Sequence, residues 1–569
     1  MGASPAFVAV LVAVAESQEG GPAAALATPD GTLIGRLHAQ IERCGGRVAR
    51  VLTRAGWGPV IAAALPDVDV TEHHDLAGPL RSLAGLPDPG HNLVLAHAEV
   101  VVSDSALLGL VQDPSPASGV LTSSRRLSPV LLAPVTSLER GRVVAATSAF
   151  HATPSGRFRQ LGLVRVAAAD RGRLEEVAAE LVGLIEGGVP PAWEEEFAGK
   201  VSNAAERWAK QHGHLLGLAG TLEAAPEVGP WLPKAQDVER DAVASLHESV
   251  SLPAEALRHD PIALLLTGLV RSDVAVTPTY LRKLFWARPL TSAGAAGALD
   301  TLATIDEDRD RLDSAVKASD GFFTTFLISP WSRYLARFAA RRGLTPNQVT
   351  TASLLVGLTA AGAFALGGRP ALIVGAVLLQ VSFAFDCVDG QLARYTRQFS
   401  SLGAWLDAMF DRVKEYAVYA GLAIGATRTG ADASIWALAT AAMILQSVRH
   451  TIDFAYAANA RDRRNVRVSA RLADVHGSST ATTQTKPAAA AGSSAAAGAI
   501  QLARRLDGSR VGYWAKRIIV LPIGERWALI SVTAAFAGPR FAFLALLGWG
   551  AGAALYTVTG RVLRSVSAA

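Results

Sequence analysis

The sequence predicts a multi-domain protein: an α/β domain in front, a helical extension after it, and an all-α domain of six transmembrane helices at the back. Three observations lead there. Apolar residues make up 50% of the 569 and charged ones only 18%, and the excess behind the positive mean hydropathy of +0.27 lies in residues 348–559. Residues 1–170 alternate short strand-like and helix-like runs. Residues 348–559 hold successive apolar stretches, most near the ~20 residues that a hydrocarbon core demands.

Residues 6–15 (AFVAVLVAVA) are apolar throughout. With no Lys or Arg ahead of so short a run, they read as a buried opening strand rather than a signal peptide. A helix is expected over residues 32–44, stopped by Gly45 and Gly46. A strand over 47–53, a helix over 59–65 and a β-branched strand over 92–102 follow. Strands alternating with helices imply a mostly parallel, helix-covered sheet. From 171 to 320 the pattern turns helical, most clearly over 173–186 with Gly187 and Gly188 as the stop.

Residues 321–569 are expected to cross a membrane at about 348–366, 371–390, 402–425, 432–452, 522–538 and 541–559. Pro522 suits an earlier, kinked start for the fifth span. The loop near 472–505 contains the run HGSSTATTQTKPAAAAGSSAAAG and reads as disordered. Arg333, Arg337, Arg341 and Arg342 precede the first span, and Arg394 and Arg397 separate the second from the third. Arg461, Arg463, Arg464, Arg467 and Arg471 follow the fourth, whereas the opposite side has only Arg369, Arg428 and Arg540. The positive-inside rule then gives a multi-pass protein of the cell inner (plasma) membrane with both termini cytoplasmic. These flanks account for the net charge of +5, and no basic surface interleaved with aromatics points to nucleic acid. Cys44 and Cys387 build neither a disulfide framework nor a zinc site.

The join of the second and third spans reads FDCVDGQLAR over residues 385–394, followed by Gly403, Asp407 and Asp411. On a helix Asp386, Asp389, Gly390 and Ala393 fall at i, i+3, i+4 and i+7 and share one face, as Gly403, Asp407 and Asp411 share another. Consecutive helices on a short loop pack antiparallel, so the four carboxylates are expected to converge. Carboxylates within a membrane are costly and functional by default. Four together require cations, and an all-oxygen set suits Mg²⁺, Mn²⁺ or Ca²⁺ rather than zinc. The small residues leave a slot near the backbone, and Arg394 is a planar donor for phosphate oxygens, so the pattern describes a site for a nucleotide diphosphate. A solvated cluster of helix-end charges is the bland reading. A divalent-cation path is the rival, although the outer halves of the spans lack the acidic groups it needs.

The pattern D-x2-D-G-x2-A-R-x8-G-x3-D-x3-D resembles the signature of the CDP-alcohol phosphotransferase family at every defined position, within a likeness covering about residues 317–560. LTPNQVT at 344–350 is similar to that family's entry motif, and KASDG at 317–321 to an element of members fused to a nucleotidyltransferase domain. The resemblance implies a CDP-alcohol such as CDP-diacylglycerol, bound with its pyrophosphate on two Mg²⁺ or Mn²⁺ ions. A hydroxyl or polyol phosphate acceptor would attack the phosphorus distal to cytidine, and CMP would leave. By the same resemblance Asp386, Asp389, Asp407 and Asp411 are metal ligands, and Asp411 is also the general base. Gly390, Ala393, Arg394 and Gly403, with Thr345, Pro346 and Asn347, would line the CDP pocket, in a homodimer among membrane lipids. Arg449 and His450, with Glu525 and Arg526, are candidates for the acceptor pocket or equally for interfacial ion pairs.

In the front half, residues 32–45 and 92–102 resemble the helix and central strand of a sugar-nucleotide transferase domain, which some family members use to make their own CDP-alcohol from CTP. Yet ESQEGGP at 16–22 is acidic where a phosphate loop needs donors, and Glu99 stands where such enzymes hold a metal-binding Asp. A degenerate, non-catalytic nucleotidyltransferase-like domain is expected. A bifunctional enzyme is the alternative.

Overall fold

A computed structural model describes residues 6–113, 115–123, 135–139, 141–148, 150, 158–187, 260–317, 320–477 and 510–566. The chain divides into two compact units, one of Met1–Glu307 with Arg464–Thr482, the other of Asp308–Arg463 with Thr483–Ala569. Of the loop expected to be disordered, residues 478–505 lie outside the described residues, as do residues 188–259 of the expected helical extension.

The first unit is built on a sheet of nine strands among the described residues. β1 (Phe7–Ala13) is central and parallel to β2 (Gly46–Arg54), which is parallel in turn to β3 (Val70–His73). On its other side β1 is parallel to β4 (Asn92–His97). Val8, Val10 and Val12 feed one hydrophobic cluster, and Phe7, Ala9, Leu11 and Ala13 feed the opposite one. Burial on both faces explains why this strand is apolar at every position. Helix α1 (Leu33–Arg43) covers one face with Ile34, Leu37 and Ile41. It starts where the Thr32 hydroxyl accepts from Gly35 N at 3.2 Å, and Gly45, at φ 84°, turns the chain after it. α2 (Arg171–Glu186) and α3 (Pro261–Arg271) cover the other face.

The expectation of a mostly parallel sheet is corrected to a mixed one. β5 (Ser118–Thr122), the hairpin of β6 (Val135–Glu139) and β7 (Arg142–Ala146), and β8 (Phe158–Val166) fill the remaining half, where β8 runs antiparallel to β4, β5 and β6. The turn at Gly141, at φ 85°, closes the hairpin without a crossover helix. A second difference lies within 171–320, where only helices were expected. β9 (Val276–Tyr280) adds to β5 in parallel, as its β-branched alternation favours. α4 (Ser292–Ala303) follows it.

In the second unit, α5 (Ser329–Arg341) precedes α6 (Pro346–Leu366), α7 (Arg369–Thr396), α8 (Ser401–Arg428) and α9 (Ser434–Gly477). α10 (Arg510–Ile519), α11 (Ile523–Ala537) and α12 (Pro539–Val566) complete it. All six expected spans are helical; among the described residues α6, α7 and residues Pro539–Arg561 are each long and apolar enough to cross a membrane, and Gly512–Ile519 with Ile523–Ala537 makes a fourth if that bent pair is one span. α8 misses because it carries Asp407, Asp411, Arg412, Lys414 and Glu415 within three turns. The expected kink before the fifth span is present as a 67° bend between Gly512–Ile519 and Ile523–Ala537. Ile373, Val374, Val377 and Val381 on α7 face outward, as an apolar solvent allows.

Candidate active site

α7 ends at Arg397 in the left-handed region, at φ 57°. α8 restarts at Ser400, whose hydroxyl accepts from Gly403 N at 2.9 Å. The two helices make little direct contact with each other, whereas α6 packs closely against both. A Cβ on Gly425 would run into the Phe364 carbonyl, so glycine sets how near α8 comes to α6. α6 and α7 are locked by Ser353 Oγ donating to Ser382 O (2.9 Å) and Ser382 Oγ donating to Ser353 O (2.8 Å).

This frame gathers Asp386, Asp407 and Asp411, which each offer an oxygen within 4.8 Å of the others. Oxygens that share a hard cation at ~2.0–2.6 Å stand up to about 4–5 Å apart, so the spacing fits one such ion. Asp389 lies outside that trio, facing Thr350 of α6. Its Oδ2 is buried without a hydrogen-bond partner, which leaves a lone pair for a cation. The all-oxygen donors and the orphaned oxygen both fit a divalent ion.

The expected bare slot is furnished. Arg394 Nε donates to Ala315 O, and its guanidinium folds over Gly390, where an added Cβ would lie 3.3 Å from Nη1. Asn347 Oδ1 fills the space beside Gly403, 2.8 Å from where a Cβ would be. Thr345 caps α6 in a reciprocal capping box with Gln348, and Pro346 occupies the first turn. Ala393 is half-buried on the aspartate face of α7. Nearby, burial raises the Asp320 carboxyl above its ordinary 3.8, against the pull of Lys317, Arg394 and Arg517.

Lys414, one helical turn beyond Asp411, escaped the sequence reading. Its fully buried ammonium donates to Asp386 Oδ1 at 2.5 Å and Ser353 Oγ at 3.0 Å, and it pairs with Asp411 Oδ1 at 3.0 Å. The Trp527 ring lies 5.3 Å away. Its signal was available: a lysine at i+3 from a site aspartate, inside an apolar helix.

A second polar cluster lies along α8, α9 and α11. Arg526 pairs with Glu415 at 3.1 Å, and Tyr419 OH donates to the same carboxylate at 2.8 Å. His450 Nε2 and Arg526 both meet the Gln446 amide, at 2.8 and 3.1 Å. Arg449 donates to Val520 O at 2.7 Å. Tyr419, Gln446, Arg449 and Arg526 line a small cleft. Arg449, His450 and Arg526 are therefore brought together, and Glu525 is not. Glu525 accepts instead from Phe323 N at 3.2 Å.

In the first unit, Glu99 is fully buried and meets Arg288 at 2.5 Å, although its Oε2 has no hydrogen bond. His97 Nε2 and Asp260 Oδ2 lie 3.1 Å apart nearby in the same unit, both buried. After β1, Glu19 accepts from Ser292 N and Oγ, both at 2.6 Å, and so caps α4. Gln18 N donates to Leu290 O at 2.9 Å.

Residues 343–515 match the CDP-alcohol phosphatidyltransferase family. Archaetidylinositol phosphate synthase of Pyrococcus horikoshii is 34% identical over 91 residues, 16% of this chain and 47% of its own length. A bifunctional IPC transferase and DIPP synthase of Aquifex aeolicus is 31% identical over 128 residues, 22% of this chain and 29% of its own. Phosphatidylinositol phosphate synthase of Mycobacterium tuberculosis is 40% identical over 90 residues, 16% and 40% of the two chains. The chain thus spans less than half the length of these relatives. Among solved structures, the inositol-1-phosphate CTP transferase from T. maritima aligns at 12% identity and a TM-score of 0.31, over 53% of this chain and 97% of its own.

Proposed function

We propose, for a chain whose C-terminal part is a CDP-alcohol phosphatidyltransferase domain, that it moves a substituted phosphate from a CDP-alcohol to a hydroxyl acceptor and releases CMP. The observation that carries this reading is the meeting of Asp386, Asp407 and Asp411 within 4.8 Å, inside the matched segment. CDP-diacylglycerol is the proposed donor, a polyol phosphate the acceptor, and phospholipid or polar-headgroup synthesis the setting. The proposed protein is a homodimer in the cell inner membrane, with both termini cytoplasmic.

Asp386, Asp389, Asp407 and Asp411 would hold two Mg²⁺ or Mn²⁺ ions, which when bound supply positive charge to the pyrophosphate and the transferring phosphoryl group. Asp411 accepts the proton of the attacking hydroxyl. Arg394 donates to phosphate oxygens, and Gly390, Ala393, Gly403, Thr345, Pro346 and Asn347 border the nucleotide. Arg449 and Arg526, with His450 beside them, supply donors to the phosphate of the acceptor. Glu525 drops out of that pocket, since it binds the backbone at Phe323. The test is CMP release by the purified full chain with Mg²⁺ or Mn²⁺, CDP-diacylglycerol and a panel of polyol phosphates. Undiminished rates in Asp389→Asn and Asp411→Asn would sink the assignment.

The bifunctional relative favours a second reading, in which the first unit makes the CDP-alcohol from CTP. Two features oppose it. Arg288 already neutralises Glu99, and Glu19 ties the loop after β1 to α4 rather than leaving donors for phosphate. The first unit is therefore proposed as non-catalytic, and pyrophosphate release from CTP with any alcohol phosphate would overturn that.

A further inference from the structure

We infer that Lys414 is a built-in counter-cation of the aspartate cluster, a positioning residue that keeps Asp386 and Asp411 in ligating array and restrains how tightly the cluster takes divalent ions. This rests on the metal-dependent reading above. The Lys414 ammonium has three oxygen neighbours: it donates to Asp386 Oδ1 at 2.5 Å and Ser353 Oγ at 3.0 Å and forms an ion pair with Asp411 Oδ1 at 3.0 Å. The Trp527 ring lies 5.3 Å from Nζ, a face that suits a desolvated cation.

The stem has its own berth. A Cβ on Gly357 would lie 2.9 Å from Lys414 Cγ and equally 2.9 Å from Ser382 Oγ, so glycine on α6 makes the passage. Ser353 is itself fixed by its exchange of hydrogen bonds with Ser382. An ammonium held by three helices is not a surface lysine that swings in by chance. It draws together two carboxylates that would otherwise repel across the gap between α7 and α8. It also places a positive charge in contact with two of the three carboxylates that lie close enough to share a cation.

These two roles push metal affinity in opposite directions, and the charge dominates. Removing a contacting unit charge changes the field on a divalent ion more than freeing two short side chains costs in ordering. Lys414→Met is therefore expected to bind Mn²⁺ about tenfold or more tightly. It is also expected to melt lower than the native chain in chelator and to regain the difference when Mn²⁺ is added.

The experiment titrates Mn²⁺ into the full chain in detergent, following free Mn²⁺ by electron paramagnetic resonance, with melting measured in parallel. Lys414→Gln removes the charge but keeps hydrogen-bonding groups, and it serves where the methionine variant does not accumulate. Lys414→Arg, which keeps the charge, should bind within about threefold of the native chain. Native-like or weaker Mn²⁺ binding in the neutral variants overturns the inference while leaving the metal reading intact. A native chain that binds no Mn²⁺ overturns both.

Discussion

Each unit buries acidic groups against an internal cation, and the ratio of charges separates the two. In the sheet unit Glu99 meets Arg288 at 2.5 Å, with 0% and 8% exposure, and Arg288 also acts on the buried Asp260, which His97 contacts at 3.1 Å. In the helical unit Lys414 touches two aspartates, Asp386 and Asp411, while Asp389 and Asp407 stand close without that contact. A matched buried pair has little left to offer a ligand, because each charge is already spent on the other. An under-matched cluster is attractive to further cations by the same electrostatics. The same residue types therefore build a strut in one place and a binding site in the other.

The sharpest way to break this comparison is Arg288→Met. Losing one partner of a buried pair strands the other, at a cost of about 3–5 kcal/mol. Hydrogen exchange should show β1 and β4 losing protection, while CMP release per folded molecule stays native. Adding Glu99→Gln should recover much of the loss, since no unpaired Glu99 charge then remains buried. If the single variant instead matched the native chain in stability, the pair would not be the strut described.

Asp407→Asn probes the other side. It removes a charge from the under-matched cluster without touching the lysine contacts. CMP release is expected to fall by about a hundredfold or more, beyond the 10–100-fold typical of groups that only support a ligand. Melting in chelator should rise slightly, because like-charge repulsion among Asp386, Asp407 and Asp411 is relieved. A rate within threefold of native, measured at saturating Mn²⁺, would move Asp407 out of the site.

The two sites were not equally legible in the sequence. The aspartates announced themselves because i, i+3, i+4 spacing on apolar helices survives any detail of packing. Their partners did not. Ser353 and Ser382 are 29 residues apart, and nothing local pairs two small hydroxyls. Lys414 was one turn from Asp411, yet nothing local in the sequence shows that its long stem reaches Asp386 on α7 and Ser353 on α6. Glu525 and Arg526 were grouped as neighbours, but adjacent helical residues point about 100° apart, and they reach different partners. In the sheet unit β1 was plain from its unbroken apolar run. β9 was not, because its partner β5 lies more than 150 residues earlier and pairing over that distance leaves no periodic trace.

A gentler prediction uses pH to strain the matched side. Asp260 is buried, which works to raise its carboxyl, but His97, Arg288 and the Ala263 N–H more than offset this and hold it below its ordinary 3.8. A depressed carboxylate contributes stability that is present above the unfolded value and lost as pH falls through the folded one. Protection of Asn92–His97 and Pro261–Arg271 against hydrogen exchange should therefore hold at neutral pH and decline below about pH 4, the range of a free Asp. Asp260→Asn should flatten that decline. A decline centred above pH 6 would point to histidine instead.

The smallest expected effect on metal binding is the most discriminating for the helical unit. Ser353→Ala removes one of three contacts to Lys414 and the hydroxyl that donates to Ser382 O, but leaves every charge in place. The loss of stability should be about 2–3 kcal/mol, the net worth of one neutral hydrogen bond and one to a charged group. Mn²⁺ affinity should move by less than about twofold, because the charges around the cluster are unchanged. The two readouts thus separate geometry from charge: this variant disturbs the first, and neutralising Lys414 removes the second. Were Ser353→Ala to tighten Mn²⁺ as much as Lys414→Met, the lysine would be acting through its position in the frame, and the charge ratio would not be what distinguishes this cluster from Glu99 and Arg288.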